Sequence, residues 1–256
     1  MSEQTRRDRR PLCRPTAGGH GSAVAWARLF IGEALLPGSV AVDATAGNGH
    51  DTLFLAGAVG PSGRVYAFDI QPAALEATSA LLAEANLEDR VELLLADHSF
   101  IAELIRPKTP ASVGGGFQRA VKSSMNSANI QRGLIPPLNE VSFKGRCLSG
   151  PVDAVMFNLG YLPGGDHSTI TRPESTCAAL RASLSLLAPG GRVSVVVYTG
   201  HPGAAHEREA VESLAANLSP GEFSVIKLTF MNRSPNAPVV ILVEKAGTEN
   251  ESMASK

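Results

Sequence analysis

The sequence predicts an α/β fold: a seven-stranded, mostly parallel sheet with helices between its strands and an antiparallel strand in a terminal hairpin. Two observations predict it. Short β-branched or apolar runs alternate with longer amphipathic stretches over 20–106 and 151–246, the pattern of parallel strands joined by crossover helices. The last two apolar runs are separated only by MNRSPNA, 231–237. A parallel connection needs a crossover of about a dozen residues, so these two strands must be antiparallel neighbours.

The elements follow in order. Helix 22–36 leads into strand 39–43 (SVAVD), and helix 49–59 into strand 64–69 (RVYAFD). Pro72 suits the first turn of helix 72–86, because the nitrogen it blocks has no partner there. That helix places Leu75, Ser79, Leu82 and Asn86 at intervals of three and four, a narrow apolar stripe. Strand 90–95 (RVELLL), helix 98–106 and strand 152–157 (VDAVMF) come next. Helix 174–188 stops at the PGG of 189–191, followed by strand 191–198 (GRVSVVVY), helix 203–218 and strands 223–230 and 238–244.

Composition narrows the function classes. The 256 residues carry 23 Lys plus Arg against 24 Asp plus Glu, with no apolar run near the roughly 18 to 20 residues of a membrane span. MSEQTRRDRR lacks the apolar stretch of a secretory signal, so a cytoplasmic protein is expected. Cys13, Cys147 and Cys177 are scattered and odd in number, forming no disulfide framework or zinc spacing. His201 and His206 stand five apart with no cysteine cluster, so no metal is expected; His206, beside Glu207 and Arg208, reads as a solvated helix face.

Charge is uneven. Residues 1–20 set five arginines against Glu3 and Asp8, and residues 107–150 set six basic residues against Glu140 alone. The rest of the chain is therefore acidic, and any broad grip on nucleic acid must come from these windows or a local patch. Residues 1–19 are expected to form a flexible basic arm, 107–150 a low-complexity insertion in a domain spanning 20–246, and 247–256 a disordered tail.

The chemistry gathers where strands end. VDATAGNGHDT puts Asp43 at the end of the first strand and Gly47 and Gly49 in the turn before a helix, where backbone N–H groups face a ligand. A dinucleotide fingerprint would need glycine at Thr52, and no Gly-Lys-Ser/Thr follows, so the turn favours a ligand without a diphosphate. Asp69, twenty residues beyond Gly49, is placed to accept both hydroxyls of a ribose, while Asp97, His98 and Ser99 stand at the adenine side. After the fourth strand comes NLGYLPGGD: the Asn158 oxygen can accept an amine N–H, and Tyr161 can stack on a planar base. His201, beyond Tyr198 on the same rim, is expected to orient a group or shuttle a proton.

The strings DATAGNGHDT (43–52), YAFDIQ (66–71), DHS (97–99), NLGYLPGGD (158–166) and VVYTGHPG (196–203) together resemble the family labelled putative rRNA methylases. That family includes enzymes that methylate the 5-aminomethyl group of wobble-position (2-thio)uridine in tRNA. The resemblance spans 22–106 and 151–245 and implies a Rossmann-like class I methyltransferase with S-adenosylmethionine (SAM) as cofactor. It assigns Asp43, Thr45, Gly47, Asn48, Gly49, Asp51, Thr52, Asp69, Gln71, His98 and Ser99 to the cofactor. Asn158, Tyr161, Gly164, Gly165, Tyr198 and His201 are assigned to the substrate side. This chain departs from the family by the insertion 107–150 and by GAAHE at 203–207.

The expectation is thus a tRNA N-methyltransferase acting at the anticodon region, free of membrane and metal, with a homodimer left open. A methyltransferase of rRNA or of a small amine is the alternative with the same cofactor pocket. A non-catalytic SAM- or RNA-binding module is the alternative of another class; it has no use for Asn158 and Tyr161 beside the methyl.

Overall fold

The computed structural model describes residues 22–105, 151–160, 171–200, 203–234 and 236–247. The basic arm, the insertion 107–150, and Tyr161, Gly164, Gly165 and His201 lie outside them, as does all of the tail but Gly247.

Seven strands form one sheet in the order β3-β2-β1-β4-β5-β7-β6, where β1 is Val40–Asp43, β2 Arg64–Asp69, β3 Val91–Leu95, β4 Val152–Leu159, β5 Leu187–Val197, β6 Phe223–Leu228 and β7 Val239–Lys245. Strands β1 to β5 pair in parallel, and β7 runs antiparallel to both β5 and β6. The reversed strand is thus last in sequence yet interior to the sheet. The helices are α1 (Ala23–Gly32), α2 (His50–Ala58), α3 (Pro72–Ala85), α4 (Ile101–Leu104), α5 (Pro173–Leu186) and α6 (Ala204–Ala216).

Successive strand residues point to opposite faces, and the core divides accordingly. Val42, Phe68, Val155, Phe157 and Val195 pack with α4, α5 and α6. Ala41, Val65, Ala154, Met156 and Val196 pack with α1, α2 and α3. Asp43 and Asn158 share parity with Ala41 and Met156, which directs them toward the α1 and α2 side. Helix α1 is fastened there by Arg192, which donates to the Phe30 carbonyl at 2.8 Å, stacks 4.7 Å from that ring and pairs with Glu244 at 3.0 Å.

Three local expectations are revised. Helix 98–106 is a 3-10 turn, His98–Phe100, followed by the single turn of α4 within the described residues. The buried stripe of α3 is Ala74, Thr78 and Leu82, not the line through Leu75 and Ser79, because α3 packs against the glycine turn through small side chains. Asn86 ends that helix as a left-handed cap, φ 54°. Finally, PGG lies within β5: Val152 pairs with Leu187 but Ala154 with Arg192, so the intervening residues bulge from the ladder.

Candidate active site

The ends of β1, β2, β3, β4 and β5 share one edge of the sheet, the edge where ligands bind in parallel α/β folds. Between β1 and α2 the chain turns through Ala46, whose N–H reaches the Phe68 carbonyl at 2.8 Å, and Gly49, whose N–H returns to Ala46 at 2.8 Å. Gly49 has φ 82°, and a Cβ there would lie 2.8 Å from the Thr78 backbone. Only glycine meets both conditions, which makes this glycine a packing requirement between the turn and α3.

Asp43 is 1% exposed and accepts from the Thr45 N–H at 3.1 Å and the Thr52 hydroxyl at 2.6 Å. Burial, and then the nearby charge of Asp51, push its carboxyl up to about 7. Asp69 accepts from the Gly47 N–H and the Gln71 N–H, both at 2.9 Å, so this one side chain fixes both the glycine turn and the start of α3. Burial raises its pKa, and the backbone N–H groups of Gln71, Gly47 and Ile70 oppose the rise. Asp97 accepts from the Ser99 N–H at 2.8 Å and caps the 3-10 turn. His98 is buried edge-on to Phe157 at 5.9 Å with Nε2 unpartnered among the described residues; burial lowers its pKa and keeps it neutral.

At the end of β4, the Asn158 backbone N–H donates to Thr45 Oγ1 at 2.7 Å, tying that strand to the glycine turn. Its Nδ2 donates to Asp51 Oδ2, and Asp51 Oδ1 accepts from Arg28 Nε at 2.6 Å. Its Oδ1 is buried without a partner among the described residues. Tyr198, at the end of β5, is 40% exposed; burial of its remainder, with the Asp51 charge, raises its pKa and keeps the phenol protonated.

The structure thus brings Asp43, Thr45, Thr52, Asp51 and Asn158 into one hydrogen-bonded group, and Asp69, Gly47 and Gln71 into another. Asn48 is exposed on the glycine turn. Sequence reading missed Arg28; its signal was a lone charge inside the apolar run AVAWARLFIG. His206 is exposed on α6, as expected, but the burial of its neighbour Glu207 was not foreseen. Glu207 is 1% exposed, accepting 2.7 Å bonds from Thr171 and Thr176 that join α6 to α5 and to the residues before it. No group of metal-binding side chains occurs among the described residues, and no helix among them is long and apolar enough to cross a membrane.

A putative rRNA-methylase from Clostridium thermocellum is 32% identical and superposes with a TM-score of 0.67, over 89% of this chain and 99% of that one. A putative methyltransferase from Streptococcus mutans, solved with S-adenosylhomocysteine, is 27% identical with a TM-score of 0.64, over 89% and 99% of the two chains. The fold and site define a class I SAM-dependent methyltransferase. The family model described as Putative rRNA methylase matches residues 65–114 and 140–244. A chloroplastic tRNA (mnm(5)s(2)U34)-methyltransferase of Arabidopsis thaliana is 35% identical over 232 residues, 89% of this chain and 70% of that protein. The chain belongs to this rRNA methylase family.

The residues fit the cofactor. Each Asp69 oxygen receives one backbone N–H and retains a lone pair, the chemistry that suits the adjacent hydroxyls of a ribose. SAM, when bound, supplies an electrophilic methyl on a sulfonium. Asp69 would hold its ribose, and the turn through Gly47 and Gly49 would face its aminoacyl part.

Proposed function

We propose that this chain is a tRNA N-methyltransferase that methylates the 5-aminomethyl group of wobble-position (2-thio)uridine, reading the anticodon region of its tRNA in the cytoplasm. The observation that carries the reading is the Asn158 oxygen, a buried acceptor at the end of β4 without a partner among the described residues. An unpaired carbonyl of this kind costs about 1–3 kcal/mol, a cost that an arriving N–H donor relieves. By accepting an N–H, Asn158 leaves the amine's lone pair free to face the methyl group. The Arabidopsis relative, named for this tRNA reaction, supports the acceptor class. In this reading Tyr161 stacks on the base, Tyr198, Gly164 and Gly165 border it, and His201 orients the amine or carries away its proton.

The test is mass spectrometry of nucleosides after incubation of the enzyme with SAM and tRNA bearing aminomethyl-uridine. Conversion of that nucleoside to its methylated form is expected. No conversion, with turnover on rRNA instead, overturns the assignment in favour of the activity in the family's description.

A further inference from the structure

A carboxamide has two ends of nearly equal shape, and only the oxygen accepts a hydrogen bond. Turned over, Asn158 would present N–H to N–H and hold no amine. We propose that Asp51, itself held by Arg28, is the positioning residue that fixes which end of Asn158 faces the acceptor. This deepens the reading of Asn158 as the amine holder and rests on it.

Asp51 is 5% exposed in the first turn of α2, and both carboxylate oxygens are engaged, one by Asn158 Nδ2 and one by Arg28 Nε at 2.6 Å. An ionised carboxylate only accepts, so it draws the amide NH2 toward itself and repels the oxygen. Arg28 offsets the burial of that charge and comes from α1, the helix anchored by Arg192. The Asn158 backbone is separately pinned to Thr45 at 2.7 Å, which leaves Oδ1 as the polar atom of Asn158's amide without a partner among the described residues. Asp51 thus acts through Asn158 on the acceptor, a role different from the cofactor contact that the family resemblance implies for it.

Nuclear magnetic resonance of the full chain with S-adenosylhomocysteine tests the lock, the Asn158 amide signals being identified by their loss in Asn158→Ala. One amide proton should be shifted downfield and slow to exchange in the wild type; Asp51→Ala should abolish both features. Kinetically, Asp51→Ala should lower kcat about 100-fold, as a misplaced reacting group does. The SAM dissociation constant should hold within about threefold, and Asp51→Ala with Asn158→Ala should be no slower than Asn158→Ala alone. Asp51→Asn keeps the volume and one acceptor oxygen, so its kcat should fall less and its downfield shift shrink; it serves where the alanine variant does not fold.

Amide signals that ignore both Asp51 variants overturn the proposal. So do kcat losses that multiply in the double variant, or SAM affinity that falls in step with kcat. The spectroscopic arm needs no acceptor. A wild-type enzyme that leaves aminomethyl-uridine untouched therefore sinks the acceptor assignment, while the amide signals still decide the lock.

Discussion

The carboxylates at the ends of β1, β2 and β3 and the side chains at the ends of β4 and β5 lie along one edge, yet the protein satisfies them differently. Asp43 receives an N–H and a hydroxyl, Asp69 two N–H groups and Asp97 one. Across the edge, Asn158 Oδ1 and Thr199 Oγ1 are buried without partners among the described residues. Beyond the β3 end, His98 Nε2, edge-on to Phe157, and Glu103 Oε2 are also buried without partners among the described residues. In the proposed reading, the half whose carboxylates already receive donors is pre-organised for the cofactor, and the acceptors left without partners among the described residues take their donor from the substrate.

The largest expected effect tests the complete half. Asp69→Ala removes a carboxylate that organises two backbone N–H groups and would hold the ribose, so SAM affinity by calorimetry should fall about 1000-fold, two charge-assisted hydrogen bonds of roughly 2 kcal/mol each. Next comes the deficient half: Asn158→Ala should slow turnover about 100-fold. Its SAM dissociation constant should stay within about threefold, since Asp69 and the glycine turn are untouched. Equal SAM losses in these two variants would erase the distinction between the halves.

A smaller effect concerns how the cofactor half is built. Gly49→Ala must adopt φ 82° and meet the Thr78 backbone, and should destabilise the fold by about 2 kcal/mol in thermal unfolding. The smallest is a pH effect at His98, whose folded-state pKa is depressed by burial. Its contribution is present above the ordinary histidine value of 6.5 and is lost as pH falls below it. The wild-type melting temperature, measured relative to His98→Phe, should therefore decline slightly on acidification through that range. A flat difference would show that His98 is solvated.

Strand positions were legible because a buried parallel strand is a continuous apolar run, and β2 matches its expected limits, 64–69. Asp43 and Asp69 were legible because a carboxylate ending such a run has few roles other than holding a loop or a ligand. The Arg28–Asp51–Asn158 chain was not, because it joins residues 23 and 107 positions apart through side chains of α1, α2 and β4. The burial of Glu207 was not legible for the same reason: the partners that make it tolerable, Thr171 and Thr176, lie 36 and 31 positions away. The α3 stripe failed because small residues allow close helix contact and carry little weight in an apolar pattern.

Because β7 fills the gap between β5 and β6, the sheet cannot close until residues 239–245 have left the ribosome. A nascent chain that has made everything up to residue 228 still presents the bare flank of β5, with β6 lacking its neighbour. Such open flanks invite pairing with other chains. Biosynthesis interrupted before Val239 should therefore yield aggregates in place of a slightly weakened enzyme.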